Sequence, residues 1–350
     1  MTPHNDPPAG PPAPIAVVGM SCRLPGADGI AEFWALLRRG GTAFSGVPEV
    51  RRRDWPPDAL PPADVGTDPQ GGFLSWVDQF DAAFFGMSPR EAAALDPQHR
   101  LTLELAWEAL EDSGQPRQRW AGRRAGVFVG AIADDYAALV HRAGPAAVDR
   151  HTFTGLQRGL IANRVSRLLG LTGPSLTVDA GQCSSLLAVH LACEQLWAGD
   201  VDLALAGGVH LNLAPDGWLA AARFGVLARS GASVPFDTAA DGFRRGEGGG
   251  LVVLKPLRLA EADGDDIYCS CSAERPTTTA TTRIRRYPPS PVRRRCCVGR
   301  TGGPGCRRPT CSTSSCTAPA PGGATGWRRP PSARWSAGAG SLTSPRGSAR

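Results

Sequence analysis

The stretch Gly173-Pro-Ser-Leu-Thr-Val-Asp-Ala-Gly-Gln-Cys-Ser-Ser-Leu-Leu-Ala-Val-His-Leu-Ala192 decides the fold. It reads as a short strand, Ser175 to Val178, a small-residue turn at Ala180-Gly181, and then a helix from Ser184 to Trp197 that is buried on much of its surface. A side chain at such a turn sits over a helix N-terminus, where unpaired N–H groups and the helix dipole favour negative charge. Enzymes use that arrangement to hold a thiolate or to stabilise an oxyanion. An ordinary strand–helix connection in an α/β core has the same local signature, and these residues alone leave both readings open.

Outward from the turn, strand and helix patterns alternate. Ile15 to Gly19 reads as a buried strand entering a glycine turn, Gly126 to Gly130 as a second strand, Asp202 to Leu213 as a strand broken by Gly207-Gly208, and Gly249 to Leu254 as another. Helical spacing predicts helices over Ala31 to Arg38, Glu91 to Glu111 and Gly155 to Leu169, while the proline- and arginine-rich residues 41–70 read as surface loop. Alternation of this kind implies a layered α/β fold with a mostly buried sheet.

Composition divides the chain near residue 268. From Cys269 onward lie 7 of the 10 cysteines, and residues 271–350 hold 15 arginines, one acid (Glu274) and four aliphatic core formers, Ile284, Val292, Val298 and Leu342. That stretch carries a formal +14 against +6 for the whole chain, so the basic balance belongs to the tail. The expected division is a disordered lead at 1–13, a folded domain at 14–268, and an unstructured tail at 269–350. No apolar run reaches the roughly 18 residues of a membrane span, and the polar, proline-rich start lacks the pattern of a secretion signal. The reading is therefore cytoplasmic, and Cys22, Cys183 and Cys193 fit a reducing compartment.

The turn resembles the active-site elbow of the β-ketoacyl synthases, whose usual pattern is V-D-T-A-C-S-S-S-L-V-A-V-H, and the spacing from Asp179 to His190 matches it without a gap. Pro14 to Pro25 (PIAVVGMSCRLP), Phe80 to Ala92 (FDAAFFGMSPREA), Asp96 to Gly114 (DPQHRLTLELAWEALEDSG), Leu160 to Asp179 (LIANRVSRLLGLTGPSLTVD) and Phe236 to Gly250 (FDTAADGFRRGEGGG) resemble further signatures of that family, in the right order. The resemblance implies a thiolase-like layered α/β fold. This chain would supply its first half and part of the crossover to the second, homodimeric when complete.

In the resemblance the acyl-accepting cysteine falls at Gln182, and Cys183 takes the place of the first serine. The motif is then similar to V-D-T-G-Q-S-S-S, the signature of glutamine-type ketosynthase domains that open many modular polyketide assembly lines. A carboxamide neither ionises nor forms a thioester at useful rates, so Gln182 cannot be a nucleophile. Decarboxylation needs no covalent intermediate, only donors for the developing enolate and an oriented leaving carboxylate. The implied reaction is decarboxylation of malonyl- or methylmalonyl-carrier protein to a starter unit. Its substrate would ride on the phosphopantetheine of an acyl carrier protein, with an acyltransferase domain of the same assembly line as a further partner. No bound cofactor, metal, nucleic acid or membrane is implied.

Cys183 is the rival. One step along a helix is a rotation of about 100°, so its side chain is expected to point away from that of Gln182 and to be a small packed residue; a displaced nucleophile for ordinary Claisen condensation is the alternative. Cys193, His99 and His210 read as structural, and His190 as packing or a supporting hydrogen bond. Gly181 and Ser184 support the turn, while Asp237, Asp241, Gly246, Glu247 and Gly248 form a loop beside it. Phe243 either closes over substrate or packs against a glycine turn. Upstream, Arg229 to Pro235 departs from the acid and lysine usual in the family.

The family also carries two histidines in its second half, in H-G-T-G-T and N-I-G-H motifs, whereas the last histidine here is His210. The codons for Cys316 to Gly323 can be chosen so that a shifted frame reads H-G-T-G-T-R-R, and Cys271-Ser-Ala-Glu-Arg in that offset can read L-R-G-A. A reading-frame change at about residue 269 is the expectation that follows. An inactive fragment that at most dimerises or docks a carrier is the reading from another class. Cys296, Cys297, Cys306, Cys311 and Cys316 have no close C-x₂-C spacing and no histidine nearby, which argues against zinc, and a basic arm for nucleic acid lacks interleaved aromatics.

Overall fold

The computed structural model describes residues 13–53, 55, 70–115, 120–230 and 232–271. In chain order the elements are β1 (Ile15–Arg23), α1 (Ile30–Arg38), β2 (Phe44–Gly46), α2 (Glu49–Arg52), β3 (Gln70–Gly72), α3 (Pro89–Ala94), α4 (Pro97–Asp112), β4 (Ala125–Gly130) and α5 (Asp135–Arg142). There follow α6 (Thr152–Gly155), α7 (Leu160–Leu169), β5 (Ser175–Val178), α8 (Ser184–Ala198), β6 (Leu203–His210), α9 (Asp216–Phe224), β7 (Gly248–Pro256), α10 (Leu257–Asp263) and β8 (Cys269–Cys271).

Six strands form one sheet in the order β5-β4-β6-β7-β1-β8, and β2 and β3 form a separate hairpin. The β5-β4-β6 pairs are parallel and the remaining pairs antiparallel. Alternate side chains enter different cores. Val127, Val129, Leu203, Leu205 and Val253 pack with Leu105 and Ala109 of α4 and Ile161 and Val165 of α7. Phe128, Ala204, Ala206, Ile15 and Val17 pack with Ala188, Ala192 and Leu196 of α8. Both faces of the sheet are therefore apolar, as a layered α/β domain requires.

Several boundaries differ from the sequence reading, each for a local reason. Glu91 to Glu111 is two helices, because Pro97 has no N–H to continue the first and forces Asp96 into an extended conformation, φ −52° and ψ 129°. The Asp96 carboxylate then caps α4 by accepting from Gln98 N at 2.8 Å. Gly155 to Leu169 is likewise broken, with α6 ending at Gly155 and α7 starting at Leu160. Gly19 is not a turn: β1 runs on to Arg23, and a Cβ there would lie 2.5 Å from the Ala109 carbonyl oxygen of α4. Gly207-Gly208 does not break β6, which is continuous to His210. Within the stretch read as surface loop, Arg51 and Trp55 are buried. Helix α8 is covered on one side only, with Leu186 61% exposed, because no layer of described residues lies beyond it. Residues 1–12 and 272–350 lie outside the described residues, and with them the tail cysteines and the proposed shifted-frame motifs. Strand β8, three residues of the sequence-defined tail, pairs with Ile15–Val17 of β1.

The start of α4 holds two buried titratable groups with opposite effects. Burial raises the Asp96 carboxyl to about 6, and burial together with nearby Arg164 lowers the His99 imidazole to about 3. Between pH 6.5 and 3 the unfolded chain protonates His99 and the folded chain does not, so this residue withdraws stability as pH falls; Asp96, protonated first in the folded state, opposes it between about 6 and its usual 3.8. His99→Gln is expected to gain stability relative to wild type as pH drops from 6.5 to 4, measured as the difference in urea midpoints. A difference that stays constant with pH contradicts the assignment.

Candidate active site

The C-terminal ends of parallel strands β5, β4 and β6, the end of β1 and the beginning of β7 all meet at one edge of the sheet, since β7 runs antiparallel to its two neighbours. Loops leaving such an edge converge on a crevice. The turn Asp179–Cys183 leaves β5 there. Gly181 takes a left-handed conformation, φ +65°, that reverses the chain between strand and helix with no side chain to strain it.

Short hydrogen bonds fix the turn. The Ser184 hydroxyl accepts from Ala180 N at 2.8 Å and lies 2.6 Å from the Gly181 carbonyl, to which it donates. The Asp179 carboxylate accepts from Gly181 N at 3.1 Å. That bond, followed by the Arg158 guanidinium, holds the Asp179 carboxyl below its usual range. The start of α8 can press on the sheet because glycines face it: a Cβ at Gly130 would lie 2.5 Å from the Ser184 carbonyl carbon, and one at Gly208 2.7 Å from Ser185 Cβ.

Gln182 stands exposed in the turn, ahead of the first residue of α8. Cys183 is the N-cap of α8, and it is exposed, not the packed residue that the sequence suggested. The turn leaves its side chain outside the core, where the thiol donates to the Ala180 carbonyl at 3.0 Å. Cys193 is buried in the α8 core, and burial pushes its thiol up to about 11. His190 pairs along α8 with Glu194 at 3.2 Å. Half-buried His210 reaches Asn212 Oδ1 at 3.3 Å, and desolvation lowers its ring below the usual range.

The second group of expected site residues reaches the same edge through the β6–β7 ladder, where Gly208 pairs with Gly250 and His210 with Gly248. Phe243 is half-buried, and its backbone is tied on both sides, donating to Val226 O and accepting from Ala228 N, each at 3.0 Å. Asp241 accepts from Ser230 N and Oγ, and the Ser230 N–H holds its carboxyl low. Asp237 accepts from Ala239 N.

Glu247 lies in the loop just before β7, and its side chain is a buried anchor. Its carboxylate accepts from Leu74 N at 2.6 Å, Asn212 N at 3.0 Å and the Arg51 guanidinium at 2.6 Å. The Asn212 side chain in turn donates to Gly246 O at 2.9 Å and accepts from Arg245. Sequence reasoning passed over Arg51, Asn212 and Arg158. Arg51 sits among arginines that look solvated, and no local pattern links it to a partner 196 residues away.

The profile of the family described as "Beta-ketoacyl synthase, N-terminal domain" matches residues 13–260. The chain belongs to the β-ketoacyl synthase family. It is 53% identical over 281 residues to polyketide synthase GfsA of Streptomyces halstedii, covering 78% of this chain and 4% of that protein. It is 47% identical over 258 residues to a component of the phenolphthiocerol/phthiocerol polyketide synthase of Mycobacterium tuberculosis, covering 73% and 17%. Among solved structures it is similar to the ketosynthase from module 6 of the bacillaene synthase of Bacillus subtilis, at 35% identity and a TM-score of 0.64, covering 73% of this chain and 42% of that one. It is also similar to the oxazolomycin ketosynthase domain OzmH KS7 of Streptomyces albus, at 37% identity and a TM-score of 0.67, covering 73% and 44%. The ketosynthase chain thus has the thiolase-type α/β fold and the kinship of modular type I polyketide synthases, and spans less than half of each of these solved ketosynthases.

Two substitutions test how this edge is built. Gly130→Ala should cost about 1–3 kcal/mol by pushing a methyl into the start of α8. Glu247→Ala should cost about 3–5 kcal/mol because it strands the buried Arg51 charge, with Glu247→Gln between it and wild type. Both are read from urea midpoints at unchanged slope.

Proposed function

We propose that the turn Asp179–Ser184 is the reacting turn of a ketosynthase domain that decarboxylates malonyl- or methylmalonyl-carrier protein to set the starter unit of a polyketide assembly line. The observation that carries this is Gln182, an exposed carboxamide in the turn where the family pattern has its nucleophilic cysteine. Decarboxylation breaks the bond between the α-carbon and the carboxylate, releases CO2 and leaves the electron pair as a thioester enolate. Protonation at the α-carbon then gives the acetyl or propionyl thioester. The Gln182 amide can donate to a thioester oxygen without forming a bond to carbon, which suits it to this step and not to acyl transfer.

Family membership itself supports condensing chemistry more directly than starter formation, so a second reading stands beside the first. In it the Cys183 thiol takes an acyl group from a carrier thioester and releases the carrier thiol. The enolate left by loss of CO2 then attacks that acyl carbonyl, forming the carbon–carbon bond and expelling the Cys183 thiolate, as in decarboxylative Claisen condensation. The exposed thiol favours this reading; the bond to the Ala180 carbonyl, which holds Sγ back toward the turn, weighs against it. Both readings need a carrier protein with its phosphopantetheine arm, an acyltransferase to load it, and a homodimer of the completed domain. We take the completed domain to be the one read in the shifted frame downstream of Tyr268. If that frame lacks the two histidine motifs in the coding DNA, the completed domain and the activity proposed for it fail together. A chain without them is expected to act only as a fragment for dimerisation or carrier docking.

Mass analysis of the frame-restored domain after incubation with malonyl-carrier protein separates the two chemistries. Acetyl-carrier protein with unmodified enzyme is the expected outcome, and an acyl group on Cys183 would sink the Gln182 assignment. Gln182→Ala should lower the decarboxylation rate by about 10²–10³-fold, the usual cost of one oxyanion donor. The unaltered chain in the same assay is expected to release no acetyl-carrier protein.

A further inference from the structure

We propose that Arg158 is a positioning residue for the reacting turn, a role that rests on reading Asp179–Ser184 as that turn. Arg158 lies just before α7, its carbonyl accepting from Ile161 N at 3.0 Å. Helix α7 is in turn fastened to β5, with Ala162 N donating to Thr177 Oγ1 at 3.2 Å and the Ser166 and Ser175 hydroxyls 2.8 Å apart. From this base the guanidinium spans two loops. Its Nη1 meets Asp179 Oδ2 at 2.9 Å, and its Nε meets Asp134 Oδ1 at 2.9 Å. The same Nη1 reaches the Ala131 carbonyl at 3.5 Å.

Asp179 opens the turn after β5, and Ala131 and Asp134 follow the neighbouring parallel strand β4. A planar fork with fixed donor directions is suited to holding two carboxylates on different loops at once, which a lysine ammonium does less well. The other oxygen of Asp179 accepts from Gly181 N, so Arg158 is connected through one carboxylate to the residue next to Gln182. The neighbouring aspartate continues the chain of contacts, since Asp135 Oδ2 accepts from Leu213 N at 3.0 Å and Ala214 N at 2.9 Å beyond β6. Loops after three adjacent strands are thereby joined at one end of the sheet. Arg158 touches no reacting atom; it sets where the turn sits relative to the β4 loop.

The exposed Cys183 thiol, bonded to the Ala180 carbonyl inside this turn, reports the position without any need for catalysis. The experiment follows iodoacetamide labelling of Cys183 in the full chain by peptide mass spectrometry, with buried Cys193 as the internal control. Arg158→Ala and Asp179→Asn remove charges of opposite sign. Positioning therefore predicts that both speed Cys183 labelling, by roughly three- to tenfold, the scale of losing one or two exposed ion pairs. Arg158→Lys should fall between Arg158→Ala and wild type, with Cys193 still protected in every variant. Unchanged labelling, or opposite changes in the two variants, would overturn the proposal and show a field effect or none. If Cys193 is labelled in Arg158→Ala, that variant has unfolded generally and Arg158→Lys decides: faster Cys183 labelling with Cys193 protected supports the role, and labelling at the wild-type rate overturns it. The result is independent of whether Gln182 or Cys183 carries the chemistry, so failure of this role and failure of the proposed function are told apart.

Discussion

The whole site depends on how closely the first turn of α8 approaches the sheet. Gly130 at the end of β4 and Gly208 in β6 leave no Cβ in the way, and the Ser184 hydroxyl closes the preceding turn by bonding both Ala180 N and Gly181 O. A helix seated this way directs its N-terminal dipole toward the residues that precede it. Gln182 and Cys183 occupy that position. The constraint is steric first and electrostatic second: without the glycine seat, the dipole would point at the same residues from the wrong distance.

A second constraint operates at the far side of the same edge. Glu247 is completely buried in its side chain, and the Arg51 side chain is only 8% exposed. An ion pair so deep is a poor source of net stability, because desolvation offsets much of its attraction. What it does supply is specificity of arrangement. One carboxylate satisfies two backbone N–H groups and a guanidinium from three separate segments, so those segments share a single relative placement. The Gly242–Gly248 segment and the β2–β3 hairpin are held by it, as the Gly72–Glu247 backbone bond confirms.

Much of this was legible in the residues. The strand–turn–helix around Gly181, the strands at Ala125–Gly130 and Ser175–Val178, and the layered α/β class follow from local pattern, because glycines and apolar runs punctuate the chain at the points where it turns. What was not legible depends on partners remote in sequence. Gly19 and Gly207 look like breaks until α4 and β7 are seen lying against them. Cys183 looks like a core residue by its size and neighbours, yet the geometry of the turn leaves it exposed. Arg51 and Arg158 resemble solvated charges, and only the tertiary fold brings each to its carboxylate.

The family assignment places the chain among β-ketoacyl synthases, and the glutamine at residue 182 is the basis of the starter-forming chemistry proposed for it. The most direct measurement is peptide-resolved acylation of frame-restored Gln182→Cys and its parent, using an acetyl thioester as donor. A cysteine at the reacting position should attack the thioester carbonyl and release the free thiol. The expected result is an acetyl group on residue 182 of the variant and none on Cys183 of either protein. An acetyl group on Cys183 of the parent, or none on residue 182 of the variant, would contradict the claim that Gln182 occupies the nucleophile's place.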